Sequence, residues 1–180
     1  MAMAARQMAG SDPAAGRPIV AGYASLFNLS DSGGDVVMPG AFAKSLARRG
    51  AAGIRMLWQH DPARPIGRWL NFGEDRNGLW VTGRLTAGVS TAEDLARLIA
   101  DKALDGLSIG FRTVRATSDP RRGIRLIHEI DLWEVSLVTF PMHPRARLVM
   151  GGPGGGEGGT RAALVRRLDE AARTMLLSMS

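Results

Sequence analysis

The sequence predicts a single α+β domain, rich in strand and flanked by two tails. Three observations carry that reading. The chain has 180 residues, 45% of them hydrophobic and 22% charged, which is enough for one core and too little for several domains. From about residue 17 to residue 150 the apolar residues fall mostly in short runs bounded by Gly, Pro, Asn and Asp, the pattern of strands and turns. Only two stretches within that span have a helical period.

Taken in order, residues 1–16 are rich in Ala and Gly, carry a turn signal at Ser11-Asp12-Pro13 and show no periodicity, so they read as a flexible N-terminal arm. The domain proper is residues 17–150. Residues 18–27, 54–60, 65–72 and 78–86 read as strands, and residues 39–49 as a helix with Pro39 in its first turn. A second helix is expected over 90–103, opened by Ser90-Thr91-Ala92-Glu93, in which Ser90 and Glu93 form a capping box. Strands return at 106–117 and 124–139, joined by the turn Asp119-Pro120-Arg121-Arg122-Gly123. Residues 151–159 are nearly all glycine, which loses too much conformational entropy to order, and read as a linker. Residues 160–180 read as an amphipathic helix whose stripe, Leu164, Leu168, Ala171, Met175 and Met179, needs a partner surface. No internal repeat is present.

Composition excludes several chemistries. There are no cysteines, so no disulfide framework, thiol nucleophile or thiolate metal site is available. No apolar run reaches the 18 residues of a membrane span, and the N-terminus lacks the apolar core of a signal peptide, so a soluble intracellular protein without membrane contact is expected. The formal net charge is +6, but Arg48-Arg49, Arg121-Arg122 and Arg166-Arg167 are scattered without interleaved aromatics, and nucleic-acid binding is a minor hypothesis. His60-Asp61 and His128-Glu129 lack the spacing of a helical zinc motif, so no metal or cofactor is expected. Asp31-Ser32-Gly33-Gly34-Asp35 lacks both a phosphate-loop lysine and a calcium-loop ligand series, and reads as a plain turn.

The segment that could carry chemistry is Gly106-Leu107-Ser108-Ile109-Gly110-Phe111-Arg112. As a strand it sends Leu107, Ile109 and Phe111 to one face and leaves Ser108 on the other, in an open lane between two glycines. The alternative is that the glycines mark a bulge or a close strand crossing. The residues also spell the G-x-S-x-G nucleophile elbow, with Asp119, Glu134 and His143 downstream. An elbow needs a helix directly after its serine, and here the alternation continues as a strand. A serine needs a base to take its proton. His60 lies at a strand end before Asp61-Pro62, a place that suits a base. His128 lies inside a strand, and the prolines around His143 in Pro141-Met142-His143-Pro144 suggest a surface turn. For the group that orients the base, alternation puts Trp133, Val135 and Leu137 on the buried face together with Glu129 and Asp131. Glu134, Ser136 and His128 share the opposite face, which leaves Glu134 or His128 for that role.

At these residues the chain resembles the capsid maturation (prohead) serine proteases of tailed phages, which are similar in fold to herpesvirus assemblin. The resemblance runs from about Val20 to Leu148. It rests on Gly22-Tyr23-Ala24-Ser25-Leu26-Phe27, on Gly34-Asp35-Val36-Val37 with Pro39-Gly40-Ala41-Phe42, on Leu57-Trp58-Gln59-His60-Asp61, on the Ser108 segment, and on Trp133-Glu134-Val135-Ser136-Leu137-Val138-Thr139 with Pro141. It implies a mostly antiparallel, β-barrel-like core with a few surrounding helices. It implies His60 as general base, Ser108 as nucleophile, and a third catalytic position about where Glu134 stands. Assemblin has a second histidine in that role, which keeps His128 open. The family's oxyanion donors are backbone groups near a basic stretch after the third member, where Arg145 and Arg147 are candidates. The implied partners are the major capsid protein or a scaffold protein, with cleavage of the protease itself and self-association, in the bacterial host cytoplasm inside the assembling procapsid. A different class of function, a non-catalytic module that binds capsid or scaffold protein, is the alternative; the intact set of His60, Ser108 and Glu134 favours the enzyme.

Overall fold

The computed structural model describes residues 18–150; the arm at 1–16, the linker at 151–159 and the helix at 160–180 lie outside the described residues. Eight strands form one sheet: β1 (Ile19–Leu26), β2 (Asp35–Val37), β3 (Arg55–Trp58), β4 (Asp61–Glu74), β5 (Gly78–Leu85), β6 (Gly106–Asp119), β7 (Ile124–Val138) and β8 (Leu148–Met150). Two helices, α1 (Ala43–Arg49) and α2 (Ser90–Ala100), interrupt them. The spatial order is β2-β7-β3-β4-β5-β1-β8, with β6 paired to β7. All pairings are antiparallel except those of β2 and β3 with β7. The sheet curls until β1 comes against β6, and the result is the expected α+β domain with a curled, half-barrel sheet.

Hydrophobic residues on the concave side of this curl make the core, with Val20, Phe42, Met56, Ile66, Leu79, Ile127, Leu132 and Leu137 all essentially inaccessible. Helix α2 contributes Leu95 and Ile99 from its apolar stripe. Trp69 is buried among these residues, and its indole N–H is shared between the carbonyls of Arg55 and Val135, 3.2 Å from each. One side chain on β4 therefore ties β3 to β7. Among the described residues no helix is long and apolar enough to cross a membrane.

Four local expectations are corrected. Helix α1 starts at Ala43, because residues 39–42 form a turn with Gly40 at φ +83°, and Glu74 accepts the Phe42 N–H at 3.1 Å. Ser90 caps nothing: α2 begins after Val89, and Glu93 reaches back to the Gly88 N–H at 3.0 Å, so only half of the capping box forms. The strand expected over 54–60 ends at Trp58, since Gln59 and His60 turn the chain. Strands β2 and β8 were not expected at all; at three residues each they are too short to show a period.

A further correction bears on the site. Gly110 pairs with Glu134, but Phe111 pairs with Leu132, so Trp133 is an extra residue in β7, a β-bulge. The expected alternation breaks there. Trp133 is turned outward at 48% exposure, while Asp131, Leu132, Glu134 and Val135 are all buried. Asp131 is held by Arg48, by Arg49 at 3.0 and 3.1 Å and by the Trp133 indole at 3.2 Å, which fastens α1 to the bulge. Replacing Trp69 by Phe removes the donor shared by β3 and β7 and leaves buried carbonyls short of a partner. The expected loss is about 1–3 kcal/mol of unfolding free energy, measured by urea denaturation.

Candidate active site

The β3–β4 hairpin delivers the first group. Trp58 pairs with Asp61, leaving Gln59 and His60 as a two-residue loop with φ values of +53° and +61°. Such a loop matches strand twist when both residues are left-handed, a backbone that ordinarily selects Asn and Gly. Here it is imposed on two larger residues, and hydrogen bonds to the end of β7 and to the residue directly after it hold it. Leu137 O accepts the Gln59 N–H at 2.9 Å, Thr139 Oγ1 accepts from the Gln59 amide at 2.7 Å, and Ser136 Oγ accepts the His60 N–H at 3.2 Å.

Held in this way, the imidazole meets Glu134. The His60 Nδ1 and Glu134 Oε1 are 2.6 Å apart. Glu134 is 8% exposed, and its other oxygen accepts from Ser136 Oγ at 2.6 Å. Both carboxylate oxygens are thus bonded, as burial of a charged group requires. The hydrogen bond to Glu134 raises the His60 pKa above its ordinary value; burial opposes the rise and the carboxylate charge adds to it. With the Nδ1 proton directed at Glu134, the neutral ring leaves Nε2 as a proton acceptor.

Ser108 lies across from Ser136 in the β6–β7 ladder, and Gly110 across from Glu134. Directly paired residues of antiparallel strands project to one face, so Ser108, Ser136 and Glu134 share a face with the His60 ring at its margin. The expected open lane is corrected. Ser108 is only 4% exposed. A Cβ on Gly110 would sit 2.0 Å from Glu134 Oε1, and one on Gly106 would sit 2.3 Å from Val138 O. The glycines serve close approach: Glu134 occupies the space that a side chain at position 110 would take. Ser108 also lines a small cleft between β1 and β6, with Ser25, Asp31, Phe111, Met142 and His143; neither His60 nor Glu134 lines it.

The other sequence candidates fall elsewhere or change character. His128 bonds Thr117 Oγ1 at 2.9 Å and lies six residues before Glu134 on β7, about 20 Å along a strand. The structure brings Glu134, and not His128, to His60. His143, expected in a surface turn, is 9% exposed and lines the same cleft as Ser108. Arg147 is engaged with Asp105 at 2.5 Å and with Pro144 O at 2.9 Å, while Arg145 is exposed and offers its backbone N–H to His143. Two positioning residues were missed. Ser136 carries a signal, since parity puts a small polar residue beside Glu134; Gln59 carries none, because nothing local marks a Gln-His pair as a tight turn. Among the described residues no group of three or more His, Asp or Glu side chains is arranged to hold a metal ion.

Comparison with known proteins places the chain in a family and a fold. The prohead protease of Enterobacteria phage HK97 is 37% identical over 130 residues, covering 71% of this chain and 57% of that protein. The prohead protease of Escherichia phage T5 is 30% identical over 123 residues, covering 68% of this chain and 57% of that protein. The chain therefore spans somewhat over half the length of these relatives. Among solved structures, the bacteriophage T4 capsid assembly protease superposes with a TM-score of 0.55 at 14% identity, over 67% of this chain and 80% of that one. The KSHV protease bound to a hexapeptide phosphonate inhibitor gives 0.52 at 14% identity, over 87% and 77%. These two likenesses show a shared fold. The family profile described as caudovirus prohead serine protease matches residues 6–150, and the chain belongs to that family.

Proposed function

We propose that the chain is a serine endopeptidase of capsid maturation in which Ser108 is the nucleophile, His60 the general base and Glu134 the group that orients His60. The observation that carries the reading is the 2.6 Å contact between His60 Nδ1 and a buried, doubly bonded Glu134 carboxylate, on the face that Ser108 shares. The roles follow from the chemistry. His60 Nε2 takes the Ser108 proton as Oγ adds to a peptide carbonyl, and Glu134 stabilises the imidazolium that forms. The proton then passes to the leaving amine, and water resolves the acyl-enzyme by the same route.

The substrate proposed is the scaffold protein or the scaffold segment of the major capsid protein, together with the protease itself. Two features support a peptide laid alongside the sheet. The cleft beside Ser108 has about 20 Å³ of free volume, room for about one water where small-molecule sites offer hundreds. Among the described residues, the edge of β6 away from β7 has backbone pairing only at its start, where Gly106 meets Arg147 and the Leu107 N–H reaches Ala146 O at 2.9 Å; β1 lies near this edge without pairing to it. An extended segment could add along the rest of that edge. Confinement in the assembling procapsid, inside the host cytoplasm, would supply the local concentration a weakly binding protease needs.

Incubation with the major capsid protein under assembling conditions, followed by intact masses, tests the reading. Wild type should trim capsid protein, scaffold or itself. Ser108→Ala and His60→Ala should each lower kcat by about 10⁶-fold and Glu134→Gln by about 10⁴-fold, with the fold retained. A folded wild type that trims none of them would support the non-catalytic module instead.

The raised His60 pKa sets the sign of the pH dependence. The base must be neutral, so kcat/KM should climb with pH through a midpoint above about 6.5, the ordinary histidine value. In Glu134→Gln the main cause of the rise is gone, and the midpoint of the residual activity should move to lower pH.

A further inference from the structure

Among the described residues only two buried side-chain nitrogen or oxygen atoms lack a hydrogen-bond partner, Arg84 Nε and His143 Nε2. The first belongs to β5, outside the cleft. The second belongs to a ring that lines the cleft with Ser108. Its proton is placed by its other nitrogen: Nδ1 accepts the backbone N–H of Arg145 at 3.1 Å, so in the neutral ring the hydrogen is on Nε2. Burial lowers the His143 pKa, and the Arg145 charge acts the same way against an opposing effect of Asp31. The ring is held neutral, with Nε2 a donor.

The loop that carries this donor is tied down by backbone hydrogen bonds. Met142 O accepts the Ser32 N–H at 2.9 Å, and His143 O accepts the Ala146 N–H at 2.9 Å. The nearby Asp31 carboxylate is turned to its own loop, with Oδ1 accepting the N–H groups of Gly33 and Asp35 at 2.8 and 2.9 Å. A buried donor left without a partner costs free energy, and such groups persist where a ligand or a reaction supplies the acceptor.

We infer that His143 is a further catalytic residue, whose Nε2–H donates to the scissile carbonyl oxygen as that oxygen becomes an oxyanion. As Ser108 Oγ bonds to the carbonyl carbon, its proton goes to His60 Nε2 and the C=O π pair moves onto oxygen. The oxygen gains charge and becomes a stronger acceptor than the ground-state carbonyl, so a pre-placed N–H favours the transition state over the substrate. When the intermediate collapses, the pair returns to re-form C=O, the C–N bond breaks, and the proton on His60 leaves with the amine. The inference rests on Ser108 being the nucleophile.

The test uses wild type, Ser108→Ala, His143→Leu and His143→Gln on a fluorogenic peptide copied from the cleavage site that wild type makes in capsid protein. His143→Leu should lower kcat by about 10²–10³-fold, the effect of deleting one oxyanion donor, with KM changed little. Its Tm should be equal to or above wild type, because an unsatisfied buried donor has been removed. His143→Gln, which restores a donor of similar reach, should recover at least tenfold of the lost kcat. Turnover retained by Ser108→Ala would overturn the nucleophile assignment, and the inference with it. Turnover abolished in Ser108→Ala but within threefold of wild type in His143→Leu overturns the inference alone. So does a lowered Tm with Leu and Gln equally inactive, which would mean that the ring only supports the loop.

Discussion

A carboxylate taken out of water loses its hydration, and it is tolerated only where both oxygens find donors. Glu134 satisfies that condition through His60 Nδ1 on one oxygen and Ser136 Oγ on the other, each at 2.6 Å. Much of the surrounding structure follows from it. Position 110 must be glycine, since the carboxylate fills the space of a β-carbon there. The bulge at Trp133 falls next to Glu134, between the Gly110 and Phe111 pairings, and the register of β6 beyond it is shifted as a result. Ser108 sits on the side of Gly110 where the ladder is regular, so its place across from Ser136 is set by direct pairing.

Strain is concentrated at the same place. Two consecutive non-glycine residues with positive φ, Gln59 and His60, cost of order 1–3 kcal/mol each. The hydrogen bonds to Leu137, Ser136 and Thr139 offset that cost, and all of them land on β7 or directly after it. The tight turn is what lets the ring reach β7 from the neighbouring strand. A longer loop would relieve the backbone and leave the imidazole less fixed relative to Glu134. Trp69 supports the arrangement from below by tying β3 and β7 together at Arg55 and Val135.

Features that repeat along the chain were legible in the sequence, and features made by long-range contact were not. Alternation located β6 and β7 and the turn at Asp119, where the Oδ1 accepts the N–H groups of Arg121 and Arg122 as a turn aspartate should. Parity put Glu134 and Ser136 on one face, and that survives because the bulge comes before both. Trp133 was misplaced because a single inserted residue reverses the alternation and leaves no mark in composition. β2 exists only because Asp35, Val36 and Val37 pair with distant Arg125, Leu126 and Ile127. His143 read as exposed from its prolines, whereas the bond from Ser32 to Met142 draws its loop in. The resemblance to a family of proteases pointed to His60, Ser108 and Glu134 together, and periodicity alone left Glu134 and His128 equal.

The central claim is that Ser108, His60 and Glu134 act as one unit and do not contribute separately to catalysis. Comparing kcat of the double variant Ser108→Ala/Glu134→Gln with that of each single variant measures this directly. If Glu134 works only through His60 on the Ser108 proton, the double variant should be no slower than Ser108→Ala alone. A double variant slower than Ser108→Ala by the further factor that Glu134→Gln costs the wild type would mean independent contributions, and would contradict the account.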